Sequence, residues 1–388
     1  MNKELSSFAA RLREMSSTRH STIGNRQFSE LALELFALQY QHNPAYQKIC
    51  DARGLTPETV EHWTQIPAVP TRAFKELELS CLPPGERTAV FYSSGTTEQK
   101  PSRHFHCPDS LELYETSLWS WFEPNVLAGS RFEVQSSKLI VLTPSLEQAP
   151  HSSLVHMFET VRRKLGASKS PFVGQTDPGG AWVLNFDAAV TALKSAIGHR
   201  QSAILLGTAF SFVHLLDVLT ERNLHFNLPA GSRVLETGGY KNRSRTIPKE
   251  ELHALITERL GVPAENIICE YGMSELSSQA YDLTIHPCIF HFPPWARVQI
   301  ISPETGREVA GGETGLIRVF DLANVFSVMA IQTEDLVVRH GHGFELIGRA
   351  QFVEPRGCSL MMVEFLAPPL SPPCGERVVK GRERGPIT

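Results

Sequence analysis

The segment Tyr92-Ser93-Ser94-Gly95-Thr96-Thr97-Glu98-Gln99-Lys100 concentrates Ser and Thr hydroxyls around one glycine and ends on a lysine. Such a loop suits polyphosphate. Gly95 has no Cβ, so the backbone can turn sharply and aim its N–H groups at an anion. Ser93, Ser94, Thr96 and Thr97 donate hydrogen bonds without deprotonation, and Lys100 adds a point charge. The glycine and lysine spacing is not that of the G-x-x-x-x-G-K-[ST] loop. Taken alone, the segment reads equally as a Ser/Thr-rich surface loop.

Four further segments follow. Glu236-Thr237-Gly238-Gly239-Tyr240 closes a strand with paired glycines, which permit close approach of a flat ring or form a simple tight turn. Glu270-Tyr271-Gly272-Met273-Ser274-Glu275 also follows a strand. Tyr271 could stack on a purine and Glu275 could hold Mg²⁺, or the pair could be a buried Tyr beside a Ser-Glu helix cap. In Gln332-Thr333-Glu334-Asp335-Leu336 a carboxylate opens a strand, placed for two ribose hydroxyls or for a turn. Gly348-Arg349 offers a guanidinium for ribose or phosphate, or a solvated charge.

These segments need a scaffold of strand ends. The first 80 residues read as helical: Phe28, Leu31, Leu35 and Leu38 share a face that breaks at Asn43-Pro44. Ile66 to Pro70 is an extended link, with helix formers again from Arg72 to Leu77. Strand candidates at residues 89–91, 138–142, 203–206, 233–237 and 267–270 are interleaved with helical stretches near 153–165, 211–222 and 248–260. This alternation predicts a mostly parallel sheet covered by helices. After Cys288, short β runs at 297–301, 316–320, 336–339 and 344–347 alternate with glycines. The expectation is an α/β protein with an N-terminal helical cap (residues 1–80), a nucleotide-binding core (81–287), a small β subdomain (288–349) and a short C-terminal segment with a mobile, Pro-rich tail (350–388).

Composition narrows the class. The 388 residues are 41% hydrophobic and 20% charged, ordinary for a globular chain, and the net charge of −4 gives no reason to expect nucleic-acid binding. The run from Ser202 to Leu219 carries Thr208, Ser211, His214 and Asp217. It reads as a buried strand, turn and helix, so no membrane span is predicted. The N-terminus lacks the apolar core of a signal peptide, and the scattered cysteines read as free thiols, which fits a reducing cytoplasm. Seven cysteines, at 50, 81, 107, 269, 288, 358 and 374, include no C-x-x-C pair, so spacing indicates neither a zinc site nor a disulfide framework.

In order, the five segments resemble the adenylate-forming superfamily: a Ser/Thr/Gly loop, a double-glycine strand end, Y-G-x-[ST]-E, T-x-D-L and G-R. Within it the chain is similar to the acyl-protein synthetases of bacterial bioluminescence, the LuxE-like group. Ile66-Pro67-Ala68-Val69-Pro70-Thr71-Arg72-Ala73-Phe74-Lys75, Pro101-Ser102-Arg103-His104-Phe105-His106 and Glu354-Pro355-Arg356-Gly357-Cys358-Ser359-Leu360 carry that closer likeness. The resemblance implies ATP and Mg²⁺ as cofactors. Ser93, Ser94, Gly95, Thr96, Thr97 and Lys100 would hold the phosphates, and Gly238, Gly239, Tyr271 and Gly272 would bound the adenine. Ser274 would sit by the α-phosphate, Glu275 would bind Mg²⁺, and Asp335 with Arg349 would hold the ribose.

The implied reaction is adenylation of a carboxylic acid, a long-chain fatty acid by resemblance, and transfer of the acyl group to a thiol. Cys358, with Arg356 beside it to stabilise a thiolate, is the candidate acceptor; alternatively it is a small buried apolar residue. Phe210, Phe212 and His214 line an acyl pocket or belong to the core. An acyl-CoA reductase-type protein or a carrier protein is the implied partner. Two features depart from the pattern: Glu98 stands where the loop usually has glycine, and little sequence follows Arg349, with Lys380 its only lysine. The C-terminal lysine domain is therefore expected to be truncated. Competing readings are an acyl- or aryl-CoA or carrier-protein ligase, and a non-catalytic nucleotide-binding relative.

Overall fold

The structure is a computed structural model that describes residues 2–17, 22–93, 100–127, 137–167, 169–238, 247–282, 287–352 and 363–364. Ser94, Gly95, Thr96, Thr97, Glu98, Gly239 and Cys358 lie outside the described residues.

The chain opens with helices α1 (Lys3–Ser17), α2 (Asn25–His42) and α3 (Pro44–Ala52). Asn43 ends α2 as the sequence predicts and also starts α3: its side chain accepts from Tyr46 N–H, with Pro44 at the first helical position. A short strand β1 (Val69–Pro70) and helix α4 (Ala73–Glu76) lead to the hairpin β2 (Ala89–Tyr92) and β3 (Arg103–His106). Then come α5 (Pro108–Val126), β4 (Lys138–Val141), α6 (Ser153–Lys164), the small hairpin β5 (Gly174–Thr176) and β6 (Trp182–Leu184), α7 (Phe186–Gly198), β7 (Ala203–Thr208), α8 (Ala209–Glu221), β8 (Arg233–Thr237), α9 (Lys249–Leu260) and β9 (Ile267–Tyr271). Strands β10 (Ala280–Asp282), β11 (Ile289–His291), β12 (Ala296–Ile301), β13 (Thr314–Asp321), β14 (Ala330–His340) and β15 (Gly343–Arg349) follow.

One 11-stranded sheet contains most of these strands, in the order β12-β13-β14-β15-β11-β10-β9-β8-β7-β4, with β1 added to β14. Among the described strands, parallel pairing joins β4, β7, β8 and β9 and, briefly, β1 and β14, with one isolated parallel bridge between Val141 and Phe172. From β9 to β12 each successive pair is antiparallel. The expected parallel sheet thus forms half of a mixed one, and the β-rich stretch after Cys288 continues that sheet. The connections explain the change. Helices α8 and α9 supply crossovers long enough to return a chain parallel, whereas β14 and β15 are joined by a tight turn at Gly341, where φ is +57°.

Burial follows from this layering. Along β7, Ile204 and Leu206 enter a core shared with Leu118, Phe122 and Phe158, while Ala203 and Leu205 enter a second core with Phe212, Leu216 and Ile256. Period-two alternation on a strand covered on both faces leaves no polar side, which is why the sequence reads as a continuous apolar run. Helices α1 to α3 cover the antiparallel half. Gln39 of α2 donates to Asn324 O at 2.7 Å and accepts from Met329 N–H at 3.0 Å.

Asp321, at the end of β13, is fully buried. Its carboxylate accepts from the N–H groups of Ser277 (2.9 Å), Ser278 (2.8 Å) and Ala323 (3.0 Å) and from the Ser278 hydroxyl (2.7 Å). Replacing Asp321 with Ala strands these donors without water. The expected loss is roughly 3 kcal/mol or more, read as a lower urea midpoint.

Candidate active site

Strand ends hold the described parts of the predicted segments in two groups of contacts, joined by the chain between Tyr271 and Ser274. Strand β2 runs on into Ser93, whose N–H donates to Ser102 O at 3.2 Å while its Oγ accepts from Ser102 N–H at 2.9 Å. This closes the stem beneath the Ser/Thr loop. Ser102 Oγ then donates to Glu275 Oε1 at 2.5 Å, and Ser274 Oγ donates to Glu275 Oε2 at 2.9 Å. The His104 ring meets Ser274 O at 2.9 Å. The stem of the phosphate-type loop and the Y-G-x-S-E segment are therefore in direct contact.

The second group starts at Tyr271. Its hydroxyl donates to Asp335 Oδ2 at 2.8 Å. Asp335 N–H is held by Thr333 Oγ1 at 3.0 Å, and Asp335 faces Arg349 across the β14–β15 pair. The Arg349 guanidinium lies 3.2 Å from Glu334 and 3.9 Å from Asp335. Burial raises the Asp335 carboxyl above the usual carboxylate range, while the Tyr271 hydroxyl and Arg349 act the other way. Tyr271 itself is buried, with Phe290, Phe292 and Phe344 around its ring. Little of that ring is open for stacking.

Gly238 follows β8 at φ +69°, in the left-handed region, with open space where a Cβ would stand. A Cβ at Gly272 would press on the Glu270 carboxylate, so a larger residue there would have to displace that side chain. The Glu270 carboxylate, buried between β8 and β9, also meets the Thr237 hydroxyl. Burial pushes its pKa up to about 7, against the hydrogen bond from Thr237.

The other predicted residues sit further out. Lys100 is exposed, with its ammonium 3.5 Å from Glu76. Phe212 is fully buried in the core behind β7, so it forms no pocket wall. Phe210 is half-buried and His214 is exposed, which corrects the reading of His214 as a core residue; their rings meet edge-on at 4.4 Å.

Ser102 and His104 enter the sequence reading only within the segment that carries the closer family likeness, without a site role. A signal existed: Ser102, His104 and His106 are buried while Pro101, Arg103 and Phe105 between them are half-exposed. A polar stripe at period two on the inner face of a strand calls for polar partners. Burial lowers the His104 pKa to about 4, so its ring is neutral at pH 7.

Two outcomes follow. Ser102→Ala leaves Glu275 short of a donor at a buried carboxylate and is expected to destabilise the protein by roughly 1.5–3 kcal/mol in chemical denaturation. Glu270 has a folded pKa above its unfolded value. Its protonated form stabilises the protein at acid pH, and that contribution is lost as pH rises through about 7. The stability of Glu270→Gln relative to wild type should therefore climb between pH 5 and pH 8, on the order of 2–3 kcal/mol in total, as followed by melting curves.

The chain is similar to known proteins in sequence and in fold. The family model for the acyl-protein synthetase LuxE matches residues 5–367. A long-chain-fatty-acid–luciferin-component ligase of Vibrio harveyi is 23% identical over 343 residues, covering 86% of each chain. Its counterpart from Aliivibrio fischeri is 23% identical over 349 residues, covering 87% of this chain and 88% of that protein. Among solved structures, an open conformation of 2-hydroxyisobutyryl-CoA ligase with 2-HIB-AMP and CoA superposes with a TM-score of 0.63 at 13% identity, covering 84% of this chain and 69% of the other. That likeness shows the fold. With the family model spanning nearly the whole chain and the motif segments joined at one set of strand ends, the protein belongs to the LuxE family of acyl-protein synthetases and is an acid–thiol ligase.

Proposed function

We propose that this site adenylates a long-chain fatty acid with ATP and passes the acyl group to the protein's own Cys358. The observations that carry the reading are two runs of contacts, one from Ser93 and Ser102 to Glu275 and Ser274 and one from Tyr271 through Asp335 to Arg349. Two ends of one ligand, polyphosphate and ribose, would be gripped by groups that the fold already holds in register. The fatty acid is inferred from the names of the two bacterial relatives.

In this reading Ser93, Ser94, Gly95, Thr96, Thr97 and Lys100 surround the phosphates, and Lys100 leaves its exposed partner Glu76 to do so. Gly238, Gly239 and Gly272 bound the adenine, with only the small exposed edge of Tyr271 beside it. The Tyr271 hydroxyl fixes Asp335 to accept from the ribose hydroxyls, and Arg349 stays close to that pair. Ser274 stands by the α-phosphate. Glu275 and the hydroxyls beside it form an all-oxygen set, the kind that Mg²⁺ takes together with phosphate oxygens. The metal's contribution there is charge neutralisation.

The chemistry is an exchange of leaving groups. A carboxylate oxygen attacks the α-phosphorus, and the bond to pyrophosphate breaks. A thiolate then attacks the acyl carbon and AMP leaves. The protein positions the reactants and stabilises developing charge. Phe210 and His214 would edge the acyl channel. The four-part division of the chain suits this scheme, with residues 350–388 carrying the acceptor thiol to the site. A reductase-type protein would remove the acyl group, and a cytoplasmic setting would keep the thiol reduced.

ATP–pyrophosphate exchange across acids of graded length tests adenylation and substrate together. Exchange should peak with long-chain acids and fall at least about tenfold in Asp335→Ala. No exchange with any carboxylic acid would sink the proposal. Labelled fatty acid should remain attached to the denatured wild type and be lost from Cys358→Ser, which should still exchange pyrophosphate. Persistent labelling of that variant would move the acceptor elsewhere.

A further inference from the structure

A second cluster of reactive side chains lies beside the nucleotide-motif strands, outside the network described above. Glu236 of β8 faces Cys269 of β9 across the parallel pair, and His253 reaches in from the inner face of α9. All three side chains are buried. Cys269 Sγ lies 3.1 Å from Glu236 Oε2 and 3.6 Å from His253 Nε2, and that Nε2 lies 3.7 Å from the same carboxylate oxygen. Cys269 also belongs to a second set with Asp282, at the end of β10, and Cys288, just before β11; their donor atoms all lie within 4.8 Å of one another.

The Glu236, His253 and Cys269 separations fit three corners of a metal shell, and Cys288, which neighbours Cys269 but not the whole first trio, would have to move in to complete it. Four donors at about 2.0–2.3 Å from a tetrahedral ion stand about 3.3–3.8 Å apart. A thiolate, an imidazole and a carboxylate select zinc-class ions over Mg²⁺ or Ca²⁺, which prefer oxygen throughout. Neighbouring groups hold these side chains in place. The Asp282 carboxylate accepts from Cys269 N–H at 2.6 Å. The Lys249 ammonium stands near Cys269 and Glu236 and lies 5.1 Å from the Phe290 ring centroid. Two thiolates and one carboxylate carry one more negative charge than a divalent ion neutralises, and Lys249 provides the remaining positive charge.

We infer that Glu236, His253, Cys269 and Cys288 bind one zinc-class divalent ion that fastens α9 and the start of β11 to β8 and β9. The Cys269 proton, which the thiol now donates to Glu236, leaves to solvent when the sulfur takes the metal, as does the proton of Cys288. The ion would be structural. It would sit two residues before Tyr271 on β9 and two before Gly238 on β8, and so brace the strand ends that carry the nucleotide motifs.

Elemental analysis of the full chain, purified untagged and without chelator and then dialysed against Zn²⁺, is the direct test. Close to one equivalent of zinc per chain is expected, falling below about a tenth in Cys269→Ser and His253→Gln. Replacement by Co²⁺ should give thiolate-to-cobalt charge-transfer absorption in the near ultraviolet, weaker in Cys288→Ser. If the variants fail to fold, wild-type protein treated with a thiol-blocking mercurial should release its zinc to a chromogenic chelator. Folded wild type that takes up neither metal overturns the inference and makes Lys249 the cluster's sole cation. Zinc retained by folded Cys269→Ser, or not released when the thiols are blocked, overturns it as well.

Discussion

The Asp321 carboxylate is the constraint on which the site depends. It gathers three backbone N–H groups and a serine hydroxyl in a fully buried position, and two of those N–H groups belong to the loop that follows Glu275. Asn324 adds to the same anchor, donating to Glu275 O at 2.8 Å and accepting from the Ser277 hydroxyl at 2.6 Å. Buried polar groups of this kind stabilise one arrangement only when all are satisfied. Here they fix the irregular stretch between β9 and β10, where a strand ladder cannot. Glu275 and Ser274 inherit their positions from that anchor.

From there the order spreads in two directions. Toward the N-terminus, Glu275 and Ser274 O receive Ser102, just before β3, and His104 of β3, so the hairpin that carries the Ser/Thr loop docks on the sheet through polar contacts. Toward the C-terminus, Tyr271 reaches across to Asp335, and the β14–β15 register brings Arg349 beside it. The junction between the parallel and antiparallel halves of the sheet is thus the place where the motif residues meet. Ligands bind α/β sheets where strand ends diverge, and a change in strand direction produces such a place. The Glu236–His253–Cys269 cluster lies beside the same junction, where β8, β9 and α9 come together.

Much of the scaffold was legible in the chain itself. Apolar runs marked β4, β7, β8 and β9, and Pro248 with Gly261 bracketed α9, whose C-terminal glycine adopts φ +69°. Helix α5 escaped notice because it begins with Pro108 and contains Pro124, and proline normally argues against a helix interior. It tolerates both because Pro108 stands in the first turn and Pro124 close to the last residue. Strand β10 escaped because it has only three residues, too few for a period to show.

What the sequence settled by itself were local matters: which stretches are helix or strand, and the order of five short motifs whose residue types suit a nucleotide. Each is written in neighbouring residues, where spacing and propensity act directly. What only the tertiary structure decided was convergence. Ser102 and Glu275 are 173 positions apart, Tyr271 and Asp335 64 apart, and Glu236 and Cys269 33 apart. No spacing rule joins such residues, because their proximity is set by strand order and register, which arise when the apolar faces of the whole sheet are buried together.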